Sequence, residues 1–178
     1  VMTENGKKVI ATEYDEIFKI KSTTHVAARK GNDRSLYNIN GEKVSGYIEG
    51  IKEAYEDVVI YEQAGKYGVK NLAGKELLKP EYNEIKKTTK EKYIVKKEKY
   101  NIVSVSEGTD AVTVTELLQS EAEDIKYYKD AAFYVANYKT ETGIKESIYN
   151  ADVELKLEGS LLEYNQTDGY IRILKANN

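Results

Sequence analysis

One interval constrains this chain more than any other property: landmarks return about every 34 residues along it. Gly6, Gly41, Gly74 and Gly108 follow one another at intervals of 35, 33 and 34 residues. Five places before them stand the aliphatic residues Val1, Leu36, Val69 and Val103. Ile17, Ile51 and Ile85 recur at 34, Ile125 follows after 40, and an acid stands one or two places before each: Glu16, Glu49, Glu84 and Asp124. A third marker is a pair of core-facing positions two apart, Val26/Ala28, Val59/Tyr61, Tyr93/Val95 and Tyr134/Ala136. Periods of about 20 to 50 residues belong to solenoids, propellers and arrays, in which a unit too small to bury its own apolar face leans on its neighbour.

Residues 65–85 show what one unit is. Tyr67 and Val69 alternate as a half-buried strand does, Ala73-Gly74 makes a turn, Leu77-Leu78 opens a second strand, and Pro80, the one proline of the chain, sets a stiff bend before a third. Asn5-Gly6 and Asn40-Gly41 are hairpin signals, because both residues tolerate the positive φ of a type I′ turn. The expectation is an all-β fold: one repeat domain over 1–178 with units near 1–35, 36–68, 69–102, 103–143 and 144–178. Residues 115–122 are the sole helical candidate, and Ile148, Val153, Leu155 and Leu157 are expected to alternate along a strand that Gly159 breaks. Residues 1–5 read as a second hairpin strand lacking its first, and 169–174 as a first strand lacking its second. Together they would complete the last unit, so a propeller-like closed ring is favoured over an open β-solenoid, since closure removes free sheet edges.

Residues 5–17 (NGKKVIATEYDEI) and 65–85 (GKYGVKNLAGKELLKPEYNEI) resemble the WG-containing, or KWG, repeats. Units of that family read G-K-W-G, then an N-G turn, an apolar run, a proline and Y-D-E-I. Lys66-Tyr67-Gly68 keeps the signature with tyrosine for tryptophan, while other units offer Arg34-Ser35, Tyr100-Asn101 and Thr142-Gly143. The resemblance spans nearly the whole chain as divergent copies. It implies interaction or surface display, and supplies no catalytic residues.

Composition narrows the classes. Sixteen tyrosines against two phenylalanines and no tryptophan make tyrosine the main aromatic packing residue, ring inside and hydroxyl at the rim. The net charge of −3 gives no general attraction to phosphate. The lysines between Lys86 and Lys99 are interleaved with glutamate, so they read as blunted strand edges rather than a nucleic-acid groove. Cysteine is absent, which excludes disulfides and thiol chemistry and suits either a cytosolic or a secreted protein. An extracytoplasmic or cell-surface place is favoured over the cytoplasm. No apolar run reaches the ~18 residues of a membrane helix, and no leader pattern is read, although Val1 falls inside a repeat and an upstream segment is compatible with that.

Candidate chemistry is sparse. His25 is the single histidine, too few for a zinc site, and no G-x-S-x-G elbow, calcium loop or phosphate loop occurs. Asp15/Glu16, Glu49, Glu84 and Glu123/Asp124 could supply a glycosidase-like pair. They recur once per unit, however, which suits a structural task such as accepting backbone N–H bonds at a turn. No catalytic residue, metal or cofactor is expected. The tyrosines of shared slots, Tyr14, Tyr47 and Tyr82, and Tyr67 and Tyr100, are the ligand-binding candidates, since exposed rings stack on sugars and anchor protein partners. Their plainer reading is packing between units. Gly6, Gly41, Gly74, Gly108, Ile17, Ile51, Ile85, Ile125 and Pro80 define the repeat structurally. The function expected is a non-catalytic binding or display module for a protein or cell-wall polymer partner, without nucleic acid or membrane insertion. A structural spacer and a glycan-binding or glycan-processing domain are the alternatives.

Overall fold

The computed structural model describes residues 14–18, 20–22, 25–38, 40–46, 48–108, 111–118, 121–141, 143–165 and 170–174. They hold seventeen β-strands and one short 3-10 turn, Lys129–Ala131, arranged as four antiparallel meanders. The first sheet runs β1 (Glu16–Phe18), β2 (His25–Lys30), β3 (Asp33–Asn38), β4 (Lys43–Gly46), and the second β5 (Ile51–Ala54), β6 (Val58–Gln63), β7 (Lys66–Asn71), β8 (Glu76–Tyr82). The third runs β9 (Glu84–Lys87), β10 (Lys92–Lys96), β11 (Tyr100–Glu107), β12 (Val112–Glu116). The fourth has five strands, β13 (Asp124–Tyr128), β14 (Phe133–Thr140), β15 (Gly143–Asn150), β16 (Leu155–Asn165) and β17 (Tyr170–Leu174). Contacts divide the chain into two compact units, Val1–Asn83 with the first two sheets and Glu84–Asn178 with the last two.

Every sheet opens at its marker isoleucine, so a sheet straddles two of the glycine-to-glycine intervals. The registers agree from sheet to sheet. Ile17, Ile51, Ile85 and Ile125 face Ala28, Tyr61, Val95 and Ala136 on the second strand, and these face Ser35, Gly68, Asn101 and Ser147 on the third. The third-strand slot is filled by a small or polar residue, fully covered in all four sheets. Its neighbour decides how small: a Cβ on Gly68 would stand 2.7 Å from Tyr61 Cε1 and 2.7 Å from the Leu78 carbonyl oxygen. The fourth copy of the signature pair is therefore Glu146-Ser147, not the expected Thr142-Gly143.

The two units build their cores from matching positions. In the first, Ala27 and Leu36 of one sheet pack with Ile51, Val59 and Tyr61 of the next. In the second, Ile94 and Ile102 pack with Ile125, Tyr134 and Ala136. Each core holds one buried tyrosine from the second strand of its later sheet, two rungs apart in the two units, and fully burying such a ring contributes about 1.5–3 kcal/mol. One backbone bridge ties the sheets within each unit, Lys21 to Glu53 in the first and Tyr100 to Ala122 in the second. The opposite faces are apolar too: Ile60, Val69 and Leu78 line up across the second sheet, Val135 and Ile148 across the fourth, and Ala28 cluster with Tyr37 in the first.

Turns follow from side-chain hydrogen bonds more than from Asn-Gly. Asn38, Asn71 and Asn150 each close a loop by accepting, through Oδ1, the amide four residues on, from Glu42, Lys75 and Glu154. Gly41, Gly74 and Val153 each donate their N–H to the carbonyl of that asparagine and hold φ of 85°, 89° and 66°. Asn40 is not at positive φ, so the expected type I′ pair is absent there. Both central residues are at positive φ at Ala64-Gly65 instead, in the β6–β7 hairpin. Gly108 is out of phase by one: Ile102, not Val103, follows the small-residue slot as Leu36 and Val69 do. Pro80 sits in β8 where two extra residues bulge between Leu78 and Tyr82, an edge position at which a missing N–H is tolerated.

Four further expectations change. Residues 112–116 form strand β12 and no helix follows among the described part of 115–122. β16 continues through Gly159, and Tyr170–Leu174 is the second strand of a hairpin whose first is β16, so it does have its partner. Ile17 is exposed whereas Ile51, Ile85 and Ile125 are buried. Val1, Gly6 and the part of the last unit assigned to residues 1–5 lie outside the described residues.

Candidate functional site

The candidate tyrosines occupy different surroundings. Tyr14, ahead of β1, is half-buried; its hydroxyl donates to Tyr37 Oη at 2.6 Å, and the rings meet edge to face at 5.4 Å between centroids. Tyr82 ends β8 opposite Tyr67 on β7; Tyr82 is buried and Tyr67 half-buried. Tyr100 opens β11 half-buried, with Lys96 Nζ 4.7 Å from its ring centroid. Its hydroxyl donates to Glu84 Oε2 at 2.8 Å. That bond, then burial, then the charges of Glu84 and Asp124 push its pKa up to about 12. Tyr47 lies outside the described residues. Thus Tyr67 and Tyr100 share a slot in geometry as in sequence, just before the small residue of the third strand.

Other tyrosines make the hydroxyl network that spacing alone did not reveal. Tyr61 donates to Glu76 at 2.8 Å, and Lys70 Nζ stands 4.3 Å over its ring; burial first, then this bond, holds the phenol well above its ordinary pKa. Tyr134, buried, shares a hydrogen bond with Thr88 at 2.8 Å, and Tyr138 with Tyr149 at 2.9 Å; burial is the leading cause that raises both phenols. Tyr138 and Tyr149 stood in no repeated slot, and the register sets them opposite Lys145 and Tyr134, so neither spacing nor register alone pairs their hydroxyls.

The repeated acids serve neighbouring strands. Asp15 accepts the Gly31 N–H at 2.6 Å, the turn role expected of it, and also faces Arg29. Glu16 pairs with Arg29 at 3.3 Å, Glu84 takes the Tyr100 hydroxyl, and Glu123 pairs with Lys99 at 3.0 Å. Among the described residues no three of His, Asp and Glu gather to hold a metal ion. His25 is buried at the start of β2, and burial lowers its pKa while Glu56 pulls it the other way.

Two open grooves accompany these side chains. One of about 710 Å³ in the first unit is lined by Glu49, Lys52, Tyr61, Glu62 and Lys70, with Lys52 and Glu62 paired at 2.9 Å. One of about 430 Å³ in the second unit is lined by Tyr138, Tyr149 and the pairs Lys99–Glu123 and Lys145–Glu158. Both offer hydroxyls, aromatic edges and balanced charge, the equipment for polar recognition.

Comparison with known proteins agrees with the repeat. No curated protein matches the chain. A solved structure described as KlHsv2 with loop 6CD replaced by a Gly-Ser linker resembles it with a TM-score of 0.44 and 8% identity, over 86% of this chain and 55% of that one. The chain thus spans about half the length of that protein. No helix among the described residues is long and apolar enough to cross a membrane. The model of the WG containing repeat matches residues 67–100, from the Tyr67-Gly68 signature to the next tyrosine of the same slot. That segment is a WG-containing repeat, divergent in carrying Tyr67 where the signature has tryptophan.

Proposed function

We propose that the chain is a non-catalytic binding or display module that engages a protein or a cell-wall polymer. The observation that carries this reading is the repeated placement of Tyr67 and Tyr100, half-buried and adjoining charged side chains in the same slot of successive sheets. A half-buried aromatic ring with a polar tip is the residue type that anchors partners. Recurrence then multiplies weak contacts. Asp15, Glu16, Glu84 and Glu123 are engaged by Arg29, Tyr100, Lys99 or a turn amide, contacts that suit a structural role for these acids. We place the module outside the cytoplasm or on the cell surface.

The proposed architecture is a propeller-like closed ring of one repeat domain. It is supported by the four consecutive antiparallel meanders whose registers repeat from sheet to sheet, since ring closure is one way such repeats dispose of free ends. Small-angle scattering separates a compact ring from an extended rod. For function, wild type and a Tyr67→Ala/Tyr100→Ala variant go through a protein-partner and glycan screen. Binding that the double variant loses at unchanged stability supports the reading. A chain that retains no partner and no glycan is a structural spacer.

A further inference from the structure

We infer that β12 is a docking edge for an extended, lysine- or arginine-bearing peptide strand of a partner protein, a site that rests on the binding reading above. Every other edge strand of four or more described residues carries a cation: Lys43 on β4, Lys52 on β5, Lys79 on β8, Lys86 on β9, Lys126 on β13 and Arg172 on β17. β8 adds Pro80 and its bulge, and β4 a register shift. These are the devices that keep edges from pairing with other chains. β12 reads Val-Thr-Val-Thr-Glu, pairs with β11 without a register break, and has neither cation nor proline.

Its outward backbone is identified by alternation. Gly108 N–H bonds the Ala111 carbonyl and Leu117 N–H the Ile102 carbonyl, so Thr113 and Thr115 are the residues that bond β11. The N–H and C=O groups of Val112, Val114 and Glu116 therefore point away from the sheet, where no strand among the described residues pairs with them. Val114 is 44% exposed. Such an edge accepts a strand through main-chain bonds and reads alternate side chains.

Charge selects the occupant. Neither β11 nor β12 carries a Lys or Arg, while Glu107 ends the one and Glu116 the other. A basic strand complements this stretch, whereas a second copy would set acids against acids. A five-residue edge of about 17 Å also falls far short of the ~1,200 Å² that a stable dimer buries, while it suffices for a peptide.

The test titrates the whole protein with a blocked KTVTVK hexapeptide, its ETVTVE counterpart and a backbone N-methylated KTVTVK, read by amide chemical shifts. The expected result is a dissociation constant below about 1 mM for the first, at least about tenfold weaker binding for the second, and none for the third. Val114→Pro removes an N–H that the sheet does not use, and should weaken the first peptide at least about tenfold; Val114→Lys serves if proline disturbs β12. Equal binding of the two charge types, binding unaffected by both variants, or concentration-dependent self-association through β12 would overturn the assignment. The same variants in the partner screen separate the levels. A partner still bound by Val114→Pro defeats the edge alone, and a wild type without any partner defeats the binding reading itself.

Discussion

Gly68→Ala is the sharpest perturbation the fold offers, since glycine there is required by space and not by backbone angle. The added methyl would meet Leu78 O and Tyr61 Cε1 at 2.7 Å and Tyr61 Cζ at 2.9 Å. Carbon centres pack at about 3.5–4 Å, so something must move by most of an ångström. Neither neighbour gives easily: one atom is main chain and the other belongs to a ring buried to 1% exposure. Overpacking of this kind costs about 1–3 kcal/mol. Against it, alanine restricts the unfolded chain and returns about 0.4–1 kcal/mol. The net expectation is a loss of about 1.3 kcal/mol, or roughly 3–5 °C in Tm for a chain of this size. Urea and thermal unfolding followed by far-UV circular dichroism measure it, tryptophan being absent. Gly46→Ala is the control, because its Cβ would meet nothing within 4 Å and its φ is not positive; it should be neutral or slightly stabilising.

The cause is tested by a cycle. Tyr61→Ala alone should cost about 3–5 kcal/mol for the emptied core. Combined with Gly68→Ser it reproduces the Ala28–Ser35 and Ala136–Ser147 pairs of the first and fourth sheets. The double variant should be more stable than additivity allows by about 1–2 kcal/mol, with rescue incomplete because Leu78 O remains. Additive losses, or a Gly68→Ala protein as stable as wild type, would refute cross-strand bulk as the reason for glycine.

Three further outcomes are expected. Asn150→Ala removes the acceptor for the amides of Asp152 and Glu154, at 3.1 and 2.8 Å, and should cost about 1 kcal/mol with faster hydrogen exchange at Glu154. Val153→Gly trades burial worth about 1.5–3 kcal/mol for relief of a β-branched residue at φ 66°, worth about 1–2, so it should cost less in urea unfolding than Val105→Gly, at 5% exposure against 9% and on extended backbone. Tyr100 is held neutral in the folded state, with its pKa raised from 10.0 to about 12. Its contribution to stability is whole below pH 10 and disappears as pH rises through 12. Ultraviolet difference titration against Tyr100→Phe should place its ionisation above pH 10, and Glu84→Gln should bring it down; superimposable curves for wild type and Glu84→Gln would count against the bond.

The repeat was legible because apolar alternation and turn residues are local. Ile17, Ile51, Ile85 and Ile125 and the paired positions after them marked every sheet in the described residues, and register put them opposite one another as their spacing implied. What failed was decided across strands. Ser147 stands in no local pattern of the signature and is identified only by facing Ala136. Val153 hides the fourth glycine slot because its αL backbone is imposed by the Asn150 loop, a conformation no one would assign to valine from sequence. The run 115–122 has helical composition, but β11 offers a free edge that takes residues 112–116 as a strand first. Among candidate tyrosines, spacing found Tyr67 and Tyr100, yet could not find Tyr138 and Tyr149, whose hydroxyls meet across β14 and β15.

The signature pair is best understood as a consequence of what lies opposite it. Where the second strand presents Tyr61, the third must present Gly68; where it presents Ala28 or Ala136, serine fits; where it presents Val95, asparagine enters and uses its amide, its Oδ1 accepting from Ile102 and Leu118. The volume of the pair is what the sheet constrains, and it can be divided between two strands in several ways. The family match falls on residues 67–100, which open on Tyr67-Gly68, the copy that keeps the glycine of the signature. The other three sheets keep the register and redistribute the bulk, so a motif read along one strand loses them while the fold does not. If that is right, converting sheet three to the Tyr–Gly division, Val95→Tyr with Asn101→Gly, should be tolerated far better than Val95→Tyr alone, which would drive a ring into an occupied slot.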